Sequence, residues 1–254
     1  VKAASQAWLL GQRALREALR TPDSTIPTFF IPLFFLAVNV GQAGRVFPKG
    51  ATRFLHGQSY AAFQLPSSLL LAASFGSAAI YLVGDIEGGY FDKLRATPIS
   101  RSAIVLGRLT AEAVKGVIIT LVIVTLAMPL GVHVESGPLG WLLVVILSAG
   151  WCVVFSGLLQ LIALKTRNAA ATNSGSLIFF PLLFLTPNFV PRHMLTRPME
   201  LAATFNPVTY VMEAIRSLIL TDVDWAVVGR GFAVVGAMAV VSVYLNVRAI
   251  RSYD

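Results

Sequence analysis

The chain has 254 residues, 56% of them hydrophobic and 13% charged, with a formal net charge of +8 and a mean hydropathy of +0.74. Soluble domains carry about 25% charged residues, so this composition excludes an ordinary water-soluble globule and predicts a polytopic, all-α membrane protein. The positive balance does not point to nucleic acid: no basic cluster interleaves with aromatics on a polar segment, and basic loops are what the cytoplasmic side of a membrane protein carries.

Residues 2–20 read as an amphipathic helix that does not cross the membrane. At about 100° per residue, Lys2, Arg13, Arg16 and Arg20 fall on one side, and Trp8, Leu15 and Leu19 cluster about a third of a turn away. Arginines beside a Trp/Leu face suit the headgroup layer of an anionic leaflet. A first span is expected over 26–40, short for a hydrocarbon core of ~30 Å and broken by Pro27 and Pro32. Asn39 near its far end reads as a helix-end or packing residue. A polar connection over 41–63 precedes a second span over 61–83, whose Ser74, Gly76, Ser77, Ala78 and Ala79 allow close helix approach.

The interval 84–108 is the longest polar stretch between two membrane-length runs. It holds Asp85, Glu87, Asp92, Lys93, Arg95, Arg101 and Arg108. Gly88 and Gly89 interrupt a continuous helix and Pro98 ends one again, leaving 90–96 as a charged helix of about two turns at the membrane surface. That is a candidate docking element.

A third span follows over 115–132, entered by a helical stretch from Ser102, and a fourth over 139–164. A fifth is expected over 169–189, kinked at Pro181, and a sixth over 226–247. Six spans put both termini on one side. That side carries thirteen of the 20 Lys and Arg residues and the other side seven, which places both termini and the interval 84–108 in the cytoplasm.

Within the outer segment 190–222, Asn206 and Pro207 form a helix start, with Asn as cap and Pro at the first position. Val208, Val211, Met212, Ile215, Leu218 and Ile219 then recur at helical spacing. The run is too short to span and too apolar for a free loop, so it reads as an amphipathic or re-entrant helix at the outer face.

Catalytic constellations are missing. There is no G-x-x-x-x-G-K-[ST] for nucleotide phosphates and no G-x-S-x-G elbow. His56, His133 and His193 have no partner at metal-ligand spacing. Cys152 is the single cysteine and lies in an apolar run, so no intrachain disulfide is possible. No cleavable signal pattern opens the sequence. The spans carry few of the buried Asp, Glu or His typical of ion-coupled transporters, and Glu112 with Lys115 reads as a helix-surface pair.

The residues Glu87-x-Gly89, Leu94-x-x-Thr97-Pro98-Ile99-Ser100-Arg101 and Gly107-Arg108 resemble the coupling-helix region of ABC-2 type transporter permeases. Phe189-Val190-Pro191, Pro198, Phe205-Asn206-Pro207-Val208-Thr209-Tyr210 and Ala214-Ile215-Arg216 look like the segment before their last span, closest to the daunorubicin-resistance branch of drug and lipid exporters. The resemblance covers nearly the whole chain and implies a single transmembrane domain over 1–254: an interfacial helix in 1–24, a coupling region at 84–108 and an outer gate at 190–222. It implies a permease that exports hydrophobic drugs, lipids or glycolipids across a bacterial inner membrane. The permease pairs with a second copy or homologue, and with separate ATPase subunits that bind the ATP and Mg while this chain binds no cofactor or metal. By that resemblance Tyr90, Phe91, Asp92, Lys93, Leu94 and Arg95 contact the ATPase, and Glu87 and Arg101 brace the helix. Asn206, Pro207, Tyr210 and Arg216 belong to the outer gate, and Trp8, Arg13, Arg16 and Arg20 to the interfacial helix. Rival readings are an exporter of polysaccharide or lipid-linked glycan, which wants more aromatics along a wide channel, and a polytopic membrane enzyme, which wants grouped intramembrane His, Asp or Ser. A secondary transporter wants broken helices in matching halves.

Overall fold

The computed structural model describes residues 2–19, 22–48, 52–75, 78–97 and 99–251, with the side chains at 2–4, 17–19, 22–25, 78, 95 and 101 outside that set. Arg20 and Pro98 also lie outside it. Every regular element among the described residues is helical: α1 Lys2–Leu19, α2 Pro22–Ala43, α3 Tyr60–Ser74, α4 Ala78–Glu87, α5 Tyr90–Ala96, α6 Arg101–Ala127, α7 Gly137–Thr166, α8 Ala169–Ser176, α9 Phe179–Phe184, α10 Arg197–Phe205, α11 Pro207–Leu220 and α12 Trp225–Arg251.

The bundle is built around α3, all of whose residues are buried. Helices α2, α6, α7 and α11 pack around it, and α12 closes against α7 and α11. Small side chains let the neighbours approach: a Cβ added at Gly116 of α6 would meet the Ala149 Cα of α7 at 2.9 Å. The periphery is apolar as well. Ile26, Phe30 and Phe34 form a stripe along α2 that is 58–63% exposed, and Val240 and Tyr244 of α12 are 70% and 61% exposed. A contiguous apolar exterior of this kind is unfavourable in water and suits lipid.

Among the described residues, five segments are long and apolar enough to cross a membrane: Ile26–Ala43, Tyr60–Glu87, Ser102–Leu130, Gly137–Thr166 and Trp225–Arg251. The expected fifth span, over 169–189, is not one helix. It is split into α8 and α9, and Ala169–Phe184 reaches only about 24 Å at 1.5 Å per residue. The run Asn173-Ser174-Gly175-Ser176 favours turns over helix interior, and the chain turns at Leu177 and Ile178 before Phe179. The second span is also two helices, α3 and α4, rather than one, with Phe75 outside helical geometry at φ −83° and ψ 62°. Lys115 Nζ of α6 donates to the Phe75 carbonyl at 3.3 Å, which satisfies that backbone group beyond the end of α3, and Trp151 Nε1 of α7 donates to Ser74 Oγ at 3.0 Å beside it.

At the end of the bundle opposite α5, α11 is enclosed rather than laid on a surface: ten of its residues, from Val208 to Leu220, are buried. Asn206 caps it as the sequence indicates, with Oδ1 accepting from Val208 N at 3.0 Å. Its C-terminal carbonyls, which no helix can satisfy internally, are met by other elements. Ser136 Oγ donates to the Leu218 and Thr221 carbonyls at 2.7 and 2.8 Å, and Gln58 Nε2 donates to that of Ile219 at 2.6 Å. Apolar periodicity identifies one buried face; these caps let the remainder be buried too.

Candidate functional site

The interval 84–108 folds around a two-turn helix. Gly89 enters it at φ +69°, a left-handed conformation that glycine adopts without a Cβ penalty. Thr97 closes it, with Oγ1 donating to the Leu94 carbonyl at 2.6 Å. Ser100 then caps α6 by accepting from Ala103 N at 3.3 Å, and Ser100 N donates to Gln6 Oε1 of α1 at 3.4 Å. Helix α5 is thus held between α4 and α6 with α1 beside it.

Its seven residues divide into two faces. Phe91 and Leu94 are only 0% and 8% exposed. Both were expected to meet an ATPase; instead they turn inward, because a two-turn helix with two large apolar side chains buries them against the bundle. Asp92 and Lys93 are exposed, Tyr90 is half-buried and Glu87 is exposed. Among the described charged side chains of α5, Asp92 and Lys93 are the exposed ones.

Bracing comes from Asp85, to which the sequence reading gives no role. Its carboxylate, on α4, accepts from Arg13 of α1 at both oxygens, Nη2 to Oδ1 at 3.0 Å and Nη1 to Oδ2 at 3.3 Å. Arg108 of α6 donates to the same carboxylate. The Arg13 guanidinium carbon lies 3.9 Å from the centroid of the Tyr90 ring, a cation–π contact with α5. One carboxylate and one arginine thereby join α1, α4, α5 and α6. Helices α1 and α6 approach closely: a Cβ at Gly107 would meet Leu10 Cβ at 2.6 Å and the Ala7 carbonyl at 2.9 Å. Arg13, expected among headgroups, is drawn to Asp85, whereas Trp8 and Arg16 remain exposed. The signal for Asp85 was its place inside the apolar run Ala78–Glu87, where an unpaired carboxylate is costly.

Deeper in the bundle, Glu112 corrects a second expectation. It pairs with Lys115 at 3.6 Å, but the two side chains are only 4% and 13% exposed, so this is a buried pair and not a surface one. Ser156 Oγ donates to Glu112 Oε2 at 3.0 Å, and Lys115 also reaches the break after α3. Continuous helix from Arg101 to Ala127 carries Arg108, Glu112 and Lys115 into the bundle, so it is more polar at this end than the expected start at Lys115 implied.

At the opposite end, Tyr210 Oη donates to the Thr204 carbonyl at 2.7 Å, and Asn206 Nδ2 donates to the Leu182 carbonyl at 2.6 Å. Arg216 is buried. Its Nε donates to the Phe63 carbonyl at 3.2 Å and its Nη1 to that of Pro187 at 2.8 Å, with the guanidinium carbon 3.7 Å from the Phe63 ring centroid. Burial lowers its pKa to about 10, opposed by the charge of Glu213, and leaves it a cation at neutral pH. Glu213 pairs with Arg192 through two bonds of 2.9 and 3.0 Å.

Membrane-length helices around a buried central one, a short charged helix latched at one end and an enclosed capped helix at the other define a multi-pass membrane protein. Residues 5–220 match the model of the ABC-2 type transporter family, and the chain belongs to that family. It is similar to the daunorubicin resistance ABC transporter permease protein DrrB1 of Streptomyces coeruleorubidus, with 24% identity over 246 residues covering 94% of this chain and 84% of that protein. Members of the family are the transmembrane components of their transporters and are not themselves catalytic.

Proposed function

We propose that this chain is the permease of an ATP-driven exporter that moves hydrophobic drugs, lipids or glycolipids across a bacterial inner membrane. Both termini and α5 face the cytoplasm, in keeping with the distribution of Lys and Arg. Helices α8 and α9, with the loop after them, form the fifth of six crossings, anchored to the bundle through Thr172, Phe179 and Leu183. ATP and Mg bind separate ATPase subunits, and a second copy or related permease completes the transporter. The drug or lipid class of cargo is supported by the apolar spans and by the relative's role in daunorubicin resistance.

The observation that carries the reading is the construction of α5. Its apolar face anchors it to α4 and α6 while Asp92 and Lys93 project outward, and Arg13, Asp85 and Arg108 tie its surroundings into one unit. A push on the exposed face is therefore delivered to three helices together. Mild-detergent purification from the native cell tests this: the permease should bring down a subunit carrying G-x-x-x-x-G-K-[ST]. The double substitution Asp92→Lys, Lys93→Glu should abolish that recovery and export while leaving the permease monodisperse. Undiminished recovery and transport in the double variant would end the assignment of α5 as the contact.

A further inference from the structure

The end of the bundle that holds α11 contains a cavity of about 310 Å³, within the range of small-ligand sites. Its walls combine two kinds of chemistry. Phe54, Phe63 and Leu220 supply apolar surface, Arg192, Arg216 and Ser217 supply hydrogen-bond donors, and Glu213 adds one carboxylate.

The charges there do not balance. Arg192 is matched by Glu213. Arg216 is held by two carbonyls and an aromatic face, with no carboxylate within ion-pair distance among the described residues, and it is only 7% exposed. Its third nitrogen, Nη2, is buried with no acceptor. A buried cation without a counter-ion is strongly disfavoured, and an unmade hydrogen bond at a buried charged donor adds to that penalty. Clamping the Phe63 and Pro187 carbonyls accounts for Nε and Nη1. It accounts neither for Nη2 nor for a charge that is offset only by Glu213, whose carboxylate Arg192 already holds.

We propose that this cavity binds an amphiphile whose head is a carboxylate or phosphate, the anion pairing with Arg216 and the apolar body lying on Phe54, Phe63 and Leu220. The site stands apart from α5 and from the exporter reading, since it concerns the other end of the molecule. A planar guanidinium with a free N–H is suited to such oxyanions.

Purified permease in detergent is tested by native mass spectrometry and competition with three probes: a short-chain phosphatidylglycerol, the matching phosphatidylcholine and inorganic phosphate. The phosphatidylglycerol should bind at least about tenfold tighter than the phosphatidylcholine, one charge-assisted bond being worth about that factor. Displacement by inorganic phosphate at comparable concentration assigns the site to a free oxyanion; displacement only by lipid assigns it to a headgroup. Arg216→Gln should remove the preference. Because that variant also loses the clamp, Ser217→Phe, which fills the cavity while keeping Arg216, should remove it too without lowering thermal stability. Equal binding of the two lipids, or a preference that survives both substitutions, overturns the proposal.

Discussion

Replacing Asp85 with Asn keeps the shape of the side chain and removes the charge that three helices share. The cost follows from the two partners' environments. Arg108 and Asp85 have side chains 7% and 8% exposed, and neutralising one member of a buried pair costs about 3–5 kcal/mol. Arg13 is 40% exposed, so solvent screens its pairing to about 0–1 kcal/mol. Asparagine retains one acceptor oxygen and Arg108 keeps other interactions, which puts Asp85→Asn at the lower end, about 3 kcal/mol. Asp85→Leu combined with Arg108→Met should recover much of this, since an apolar pair leaves no buried charge. Unfolding in mixed micelles, followed by tryptophan fluorescence, gives the four corners of the double-mutant cycle. A coupling energy of at least about 2 kcal/mol is expected for contacting charges. Coupling below about 0.5 kcal/mol is what independent sites give, and that result would refute the shared-carboxylate account. Arg13→Ala separates latch from stability: it should cost under about 1 kcal/mol yet reduce ATP-dependent export.

The two faces of α5 should respond oppositely. Phe91→Ala, at a fully buried position, should lower unfolding stability by about 3–5 kcal/mol, while Lys93→Ala should stay within about 0.5 kcal/mol and weaken ATPase recovery. Gly107→Val puts a side chain against Leu10 and Ala7; the overpacking should cost about 1–3 kcal/mol and speed tryptic cleavage at exposed Arg16 as α1 lifts away. For topology, Cys152 is 1% exposed and should stay silent to impermeant maleimide. Asp92→Cys and Asp222→Cys should then label from opposite sides of sealed vesicles, and labelling from the same side would refute the arrangement.

What could be read from the sequence was local. The glycine pair ahead of Tyr90 and the Thr-Pro after Ala96 bounded α5 because backbone conformation decides where a short helix starts and stops. Asn206 and Pro207 marked the start of α11 for the same reason. The latch was not legible, because Asp85 and Arg108 lie 23 residues apart and Arg13 and Asp85 72 apart; composition lists such charges without saying which ones meet. Glu112 looked like a surface residue because its i,i+3 partner Lys115 was visible and Ser156, 44 residues on, was not. The enclosure of α11 escaped notice because its carbonyl caps come from Gln58 and Ser136. Arg216 was the available hint: a cation one position from Ile215, on the face that the apolar repeat buries, needs partners of its own.

Those caps also bear on how the molecule is made. Gln58 and Ser136, which hold the last carbonyls of α11, are synthesised well before residues 218–221 leave the ribosome. Helix α11 is therefore a late arrival in a socket that earlier segments assemble, and its docking waits for the segments bearing Gln58 and Ser136 to be in place. A subunit whose earlier helices are misplaced lacks the donors that receive α11, and the last carbonyls of that helix then go unmet.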